Sequence, residues 1–261
     1  MDFFVYNFSK FMLVFSRIMG LYFTSNFFSS KSIPNQVKLG LVFFTTAIMY
    51  PMVSEYMGVV PDNMIAYSFR AMAEGIIGVS IGFAISISFT VFQLAGQFFT
   101  VQMGFGASEV FDPMSQISLP LMGQYIYMIF TLVFMILNGP ALIINAIYNS
   151  FQMINFHDLI SISLIQSKFG LVTLFSDLFY TALKISLPMI GALLMVSITM
   201  GLLAKAAPQM NLLMIGFPIS ISVGFIILLF MTPILINLIV NLIDFVFNII
   251  WNMMLEIDSA V

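Results

Sequence analysis

Few side chains in this sequence can do chemistry, and most of them stand inside apolar runs. Arg70 and Glu74 are one helical turn apart in the run 64–104. Charges at such depth are suspects for a substrate or proton path, because an ionisable group in hydrocarbon persists only where it is paired or used. The four-residue spacing fits a local ion pair equally well. Lys184 is the third such charge, with Asp177 two turns before it; a helix-end position explains it as readily as a mechanism does. His157, Asp158 and Ser161 have the residue types of a hydrolytic triad, but they share a short polar connector with nothing built around it, and catalysis is not expected there. His157 is the single histidine and there is no cysteine. Disulfides, Cys-ligated zinc, iron–sulfur clusters and thiol nucleophiles are excluded, and neither a metal nor a cofactor is expected. No glycine-rich phosphate loop with a lysine occurs.

The richer signal is polar periodicity. Gly75, Gly78, Gly82, Ser86, Thr90, Gln93, Gln97, Thr100 and Gly104 recur at steps of three or four, which puts small and polar groups on one helical face. Gly78 to Gly82 is a Gly-x-x-x-Gly, a pattern that lets helix backbones approach closely. A second row near the end joins Asn237, Asn241, Asp244, Asn248 and Asn252 and continues to Glu256. A shorter row joins Asn145, Asn149 and Gln152. Amides are costly against hydrocarbon. Either these rows satisfy one another inside one bundle, or they pack on other subunits or face an aqueous path. Three rows are many for one chain to satisfy, so an obligate partner in a hetero-oligomer is the expectation.

Between the glutamine-rich face and the next apolar run lies a loop that ends in Asp112 and Pro113, which read as an N-cap and a first helical residue. Gly104 and Gly106 make the loop pliable. Residues 105–112 are therefore a candidate constriction, with Phe105, Val110 and Phe111 as apolar stoppers; a plain interhelical loop is the simpler reading. Of 22 methionines, Met103 beside the loop is the best candidate for an adaptable seal.

The elements that must position these groups follow from composition. Of 261 residues, 61% are hydrophobic and 7% charged, with a net charge of −3. Soluble domains run near 45–50% and about 25%. A soluble enzyme, a nucleic-acid binder and a disordered tail are excluded, and membrane lipid or other apolar protein is the expected solvent. The start does not read as a cleavable signal peptide, since Asp2, Lys10 and Arg17 interrupt it. Seven helical segments are predicted, at 3–28, 39–53, 64–104, 119–137, 141–154, 169–203 and 210–255. The fourth is the cleanest candidate span. Lys10 and Arg17 share a face of the first. Pro140, Pro188, Pro218 and Pro233 are expected to kink or break their helices. The positive-inside rule puts the connectors 29–38 and 205–209 in the cytoplasm and both chain ends outside.

The sequence also resembles a known family. Ser32-Ile33-Pro34 with Lys38-Leu39-Gly40-Leu41, Gln102-Met103-Gly104 leading to Asp112-Pro113, Asn138-Gly139, and Ala207-Pro208-Gln209-Met210-Asn211 followed by Gly216-Phe217-Pro218 look like the FliR-type family of flagellar export-gate proteins. Close relatives of that family serve virulence type III secretion. The resemblance covers nearly the whole chain and implies an all-α membrane protein of kinked helical hairpins. Residues 1–168 are similar in plan to FliP, and residues 169–261 to the FliQ hairpin followed by a last helix. It further implies a ring with FliP and FliQ around an export pore, joined by FlhB and FlhA and passing unfolded flagellar substrates. The ring stands largely above the plane of the bacterial inner membrane, on its periplasmic side. The family's plug matches 105–111, where Glu109 departs from an apolar or small residue. Lys184 falls near the FliQ-like helix interface. Set against this is a small-molecule secondary transporter using Glu74 or Lys184, which requires inverted repeats that the two unlike halves do not supply.

Overall fold

A computed structural model describes residues 2–28, 33–61, 63–105, 121–154, 171–209 and 211–259. Among these residues every regular element is an α-helix, and there are seven: α1 (Asp2–Thr24), α2 (Asn35–Val53), α3 (Met64–Gln102), α4 (Leu121–Ile136), α5 (Gly139–Met153), α6 (Leu171–Ala206) and α7 (Leu212–Ser259). The predicted connectors 157–168 and most of the candidate plug lie outside the described residues. The chain divides into two compact units that interleave along the sequence.

The first unit comprises residues 1–88, 135–174 and 243–261. Its centre is the contact of α1 with the first part of α3. Gly75, Gly78 and Gly82 turn toward α1, where a Cβ on Gly78 would overlap the Arg17 carbonyl and one on Gly82 the Thr24 hydroxyl. The glycine end of the predicted row is therefore spent inside this chain, not on a partner. The Thr24 hydroxyl donates to the Gly20 carbonyl at 2.6 Å. α2 starts after Pro34 and packs on α1. Tyr22 and Thr45 share a hydrogen bond of 2.9 Å, Tyr50 donates to Asn7 at 3.0 Å, and Phe11 meets Phe43 and Tyr50 edge-on. Gly78→Ala should separate α1 from α3. Because the obstacle is backbone, no rotamer relieves it, and a loss of about 1–3 kcal/mol is expected. Thermal aggregation of the detergent-solubilised protein checks this, with Gly40→Ala, where nothing lies near, as the neutral control.

The second unit comprises residues 89–134 and 175–242. Phe89 of α3 meets Phe130 of α4 edge-on and Phe92 meets it at a tilt, at 4.5 and 5.1 Å between ring centroids. Gly96 lies directly on Gly123, so the two helices touch backbone to backbone. Burying these three aromatic rings together stabilises more than area alone.

Of the kink or break expected at each proline, the break does not occur at three of the four. Pro188 lies inside α6, and Pro218 and Pro233 lie inside α7, without ending either helix. Only Pro140 sits at a boundary, at the start of α5, after Asn138 takes the left-handed conformation (φ 55°). The fourth segment, predicted at 119–137, is described from Leu121 on as the 16-residue α4, and with α5 across a 67° bend it forms a further candidate span. Four helices are long and apolar enough alone, at Asn35–Val53, Met64–Gln102, Leu178–Ala206 and Met214–Asn252. In the most apolar part of α6, only 11% is buried. That surface needs lipid or other protein to cover it.

Candidate functional site

Three groups of functional side chains can be built from these helices. The first is an ion-pair node in the first unit. Glu74 on α3 is buried, and its closer partner is not Arg70 one turn away but Arg17 of α1. Arg17 Nε donates to Glu74 Oε2 at 2.7 Å, and a second guanidinium nitrogen pairs with the same oxygen. A third nitrogen donates to Ser150 Oγ of α5 at 3.0 Å. The guanidinium carbon lies 3.9 Å from the centre of the Phe151 ring. Arg70 is 3.9 Å from Glu74 and donates to the Val59 carbonyl at 2.6 Å. One carboxylate thus meets two guanidinium groups, which leaves the node with one excess positive charge, and every group is 3% exposed or less. Such an arrangement ties three helices together. With its charges mutually engaged and shut off from solvent, it is built as a clamp and not as a binding site.

Sequence spacing missed Arg17 as the main partner. The signal present was a basic residue in an apolar run with Gly20 one turn on, but 57 residues separate it from Glu74. Lys184, the other charge singled out, is exposed on α6 and makes no ion pair among the described residues.

The second group is a close contact between α3 and α7 in the second unit, at the residue predicted as a seal. Met103 is fully buried and lies on Gly224 of α7, where an added Cβ would come within 2.7 Å of its Cγ and Cε. Gly104 ends α3 in the left-handed region (φ 86°), and its face is covered by the Phe217 ring, 2.7 Å from where a Cβ would stand. A left-handed glycine is a common helix terminator, and the Phe105 amide closes the turn on the Thr100 carbonyl at 3.2 Å. Phe105 is half-buried. Gly106, Val110 and Phe111 lie outside the described residues. Phe217 and Gly224 were not singled out from sequence, because only the fold brings α7 under the end of α3.

The third group is the polar rows. Gln93 is half-buried and Gln97 exposed, and neither makes a hydrogen bond among the described residues. Thr100 departs from the expectation of an outward face: it is buried and donates to the Gly96 carbonyl at 2.8 Å. A threonine satisfied by its own helix needs no partner. Asn237, Asn241, Asp244 and Asn248 are all exposed, with no hydrogen bond or ion pair among the described residues. In the first unit, Asn145 and Asn149 of α5 face Asp244 and Asn248 of α7 across a cleft of about 470 Å³ that Trp251 also lines. Gln152, at the end of the shorter row, donates to Tyr56 and Tyr148 at 3.0 and 2.9 Å. Among the described residues no three His, Asp or Glu side chains are placed to hold a metal ion.

Comparison with known proteins adds a lineage to this geometry. Residues 8–246 match the model of the family described as bacterial export proteins, family 1. The chain is similar to proteins named flagellar biosynthetic protein FliR in three distant bacteria. It is 30% identical to that of Bacillus subtilis (strain 168) over 231 residues, which is 85% of each chain. Identity with that of Escherichia coli (strain K12) is 27% over 253 residues, covering 92% of this chain and 91% of the relative. With that of Borreliella burgdorferi it is 31% over 227 residues, covering 86% and 78%.

Proposed function

Since this chain belongs to the bacterial export proteins of family 1, we propose that it is a structural and gating subunit of a flagellar protein-export channel, not an enzyme. The observation that carries the reading is the set of amides on α3 and α7 that make no hydrogen bond among the described residues, on helices whose most apolar stretches are 56% and 28% buried. Groups of both kinds on one helix need protein on one side and lipid on the other. The relatives' name supports the flagellar assignment over the virulence one.

In this reading residues 1–168 act as a FliP-like part and 169–261 as a FliQ-like part. The chain completes a ring with FliP and FliQ in the inner membrane, projecting to the periplasmic side, with FlhB and FlhA beside it. Gln93, Gln97, Asn237 and Asn241 meet neighbouring subunits or the aqueous path, as does Lys184 on the FliQ-like hairpin. Unfolded substrates cross the pore, driven from elsewhere, and Met103 with Phe105, Gly106, Val110 and Phe111 helps to close it. The sealed Arg17–Glu74 node speaks against the transporter alternative, because it leaves Glu74 no access to a solute.

Two measurements test this. In a motile host lacking its own relative, the chain should restore secretion of flagellar proteins and copurify with other membrane proteins in mild detergent. A chain that is well-behaved and monodisperse alone contradicts the subunit role. Deleting residues 106–110 should make membranes that contain the assembled gate leak ions, and an unchanged conductance removes the plug.

A further inference from the structure

The cleft in the first unit carries a negative charge that is unpaired among the described residues. Asp244 is the one titratable residue among those lining it. It stands in the apolar stretch Met214–Asn252 and makes no ion pair among the described residues. A carboxylate at that depth is costly unless a cation or water meets it. The elements packed around the cleft are α5 and α7, and neither supplies a basic residue to the lining. We propose that the cleft between α5 and α7 seats a lysine or arginine side chain of a neighbouring polypeptide in the assembly, with Asp244 as its counter-charge.

The other lining groups fit that occupant. Asn145, Asn149 and Asn248 present side-chain carbonyls that accept hydrogen bonds from an ammonium or guanidinium group. Their amide nitrogens remain to donate to the incoming chain's backbone carbonyls. Trp251 and Phe247 supply aromatic faces, which attract cations. Leu142 and Ile250 offer an apolar wall for the methylene stem that long basic side chains carry. The volume of about 470 Å³ lies in the range of specific ligand pockets and leaves room for backbone beside the side chain. An amine-bearing lipid headgroup fits less well. It brings a phosphate, and no Lys, Arg or His lines the cleft to receive it.

This inference rests on the subunit reading only in requiring neighbouring polypeptides. Its test uses the full chain with a photo-crosslinking amino acid at Trp251, expressed in host membranes with its natural neighbours. After illumination the complex is isolated in mild detergent and the adducts are sequenced by mass spectrometry. The expected adduct is a peptide with a lysine or arginine beside the crosslinked residue. Its yield should fall at least about tenfold in Asp244→Asn and change no more than about twofold in Asp244→Glu, as the loss of one charge pair implies. Asp244→Lys should lose the adduct, and glutamate at the identified basic residue should restore it. Adducts with lipid only, adducts with peptides lacking a basic residue, or equal yields with Asp and Asn at position 244 overturn the proposal. If neighbours copurify normally in that case, the cation site fails while the subunit reading stands. If no polypeptide copurifies, both fail.

Discussion

Arg17→Met is expected to cost about 3–5 kcal/mol, because it removes the closer partner of the buried Glu74 carboxylate and leaves it only the longer contact to Arg70. Against a total stability of about 5–15 kcal/mol for a typical fold, that loss removes a large share of the margin. Arg70 cannot take over: it is 3.9 Å from Glu74 and already donates to the Val59 carbonyl. The double variant Arg17→Met, Glu74→Leu should recover much of the stability, since an apolar pair removes both the charge and its counter-charge. Recovery should stay incomplete, because Ser150 loses its guanidinium donor and Arg70 loses its nearest carboxylate. The amount of protein resisting thermal aggregation in detergent, measured for the two single variants and the double, decides the matter. If the double is no better than Arg17→Met, charge balance is not what the node supplies. Export by the double adds a second answer: a folded but inactive double variant would give the ion pair a part in transport.

The same node shows where sequence stops being informative. The approximate bounds of the described helices were legible because an apolar run of sufficient length admits little else. The segment predicted at 39–53 is observed as Asn35–Val53, and that at 141–154 as Gly139–Met153. Periodicity also identified the face of α3 that demands close approach. It did not identify what approaches. Gly75, Gly78 and Gly82 meet α1 within the chain, whereas Gln93 and Gln97 farther along the same row remain uncovered. A repeat of three and four residues is the same for a partner on the chain and a partner off it.

Three of the four prolines do not break their helices, for a different reason. Each removes one amide donor, and in water that opens the helix to competing hydrogen bonds. Next to lipid or apolar protein no such competitor exists, so the remaining peptide groups hold the helix and Pro188, Pro218 and Pro233 are carried inside it. Pairings between remote residues were beyond reach altogether. Arg17 finds Glu74, and Met103 finds Gly224, only once the helices are folded.

That second pairing carries the other large effect. Gly104→Ala should cost about 2–4 kcal/mol at the end of α3. Part is backbone, since an L-residue with a Cβ is disfavoured at φ 86° by about 1–2 kcal/mol. The rest is the Phe217 ring, which must give way to a Cβ only 2.7 Å from its edge. Phe217→Leu in the same chain should relieve the ring but not the backbone, so the pair should lie between Gly104→Ala and the unchanged protein. Gly224→Leu attacks from the other side by expelling Met103 from its seat, and forfeits the roughly 1.5–3 kcal/mol of burying that side chain. If this contact closes the pore, both Gly104→Ala and Gly224→Leu should raise ion leakage through the assembled gate. Met103→Cys should be protected from a membrane-impermeant maleimide when Gly224 is present and labelled when leucine replaces it. Lower stability without leakage or labelling would reduce the Met103–Gly224 contact to helix packing. Leakage at normal stability would place the closure here, in the fit of a methionine against a glycine.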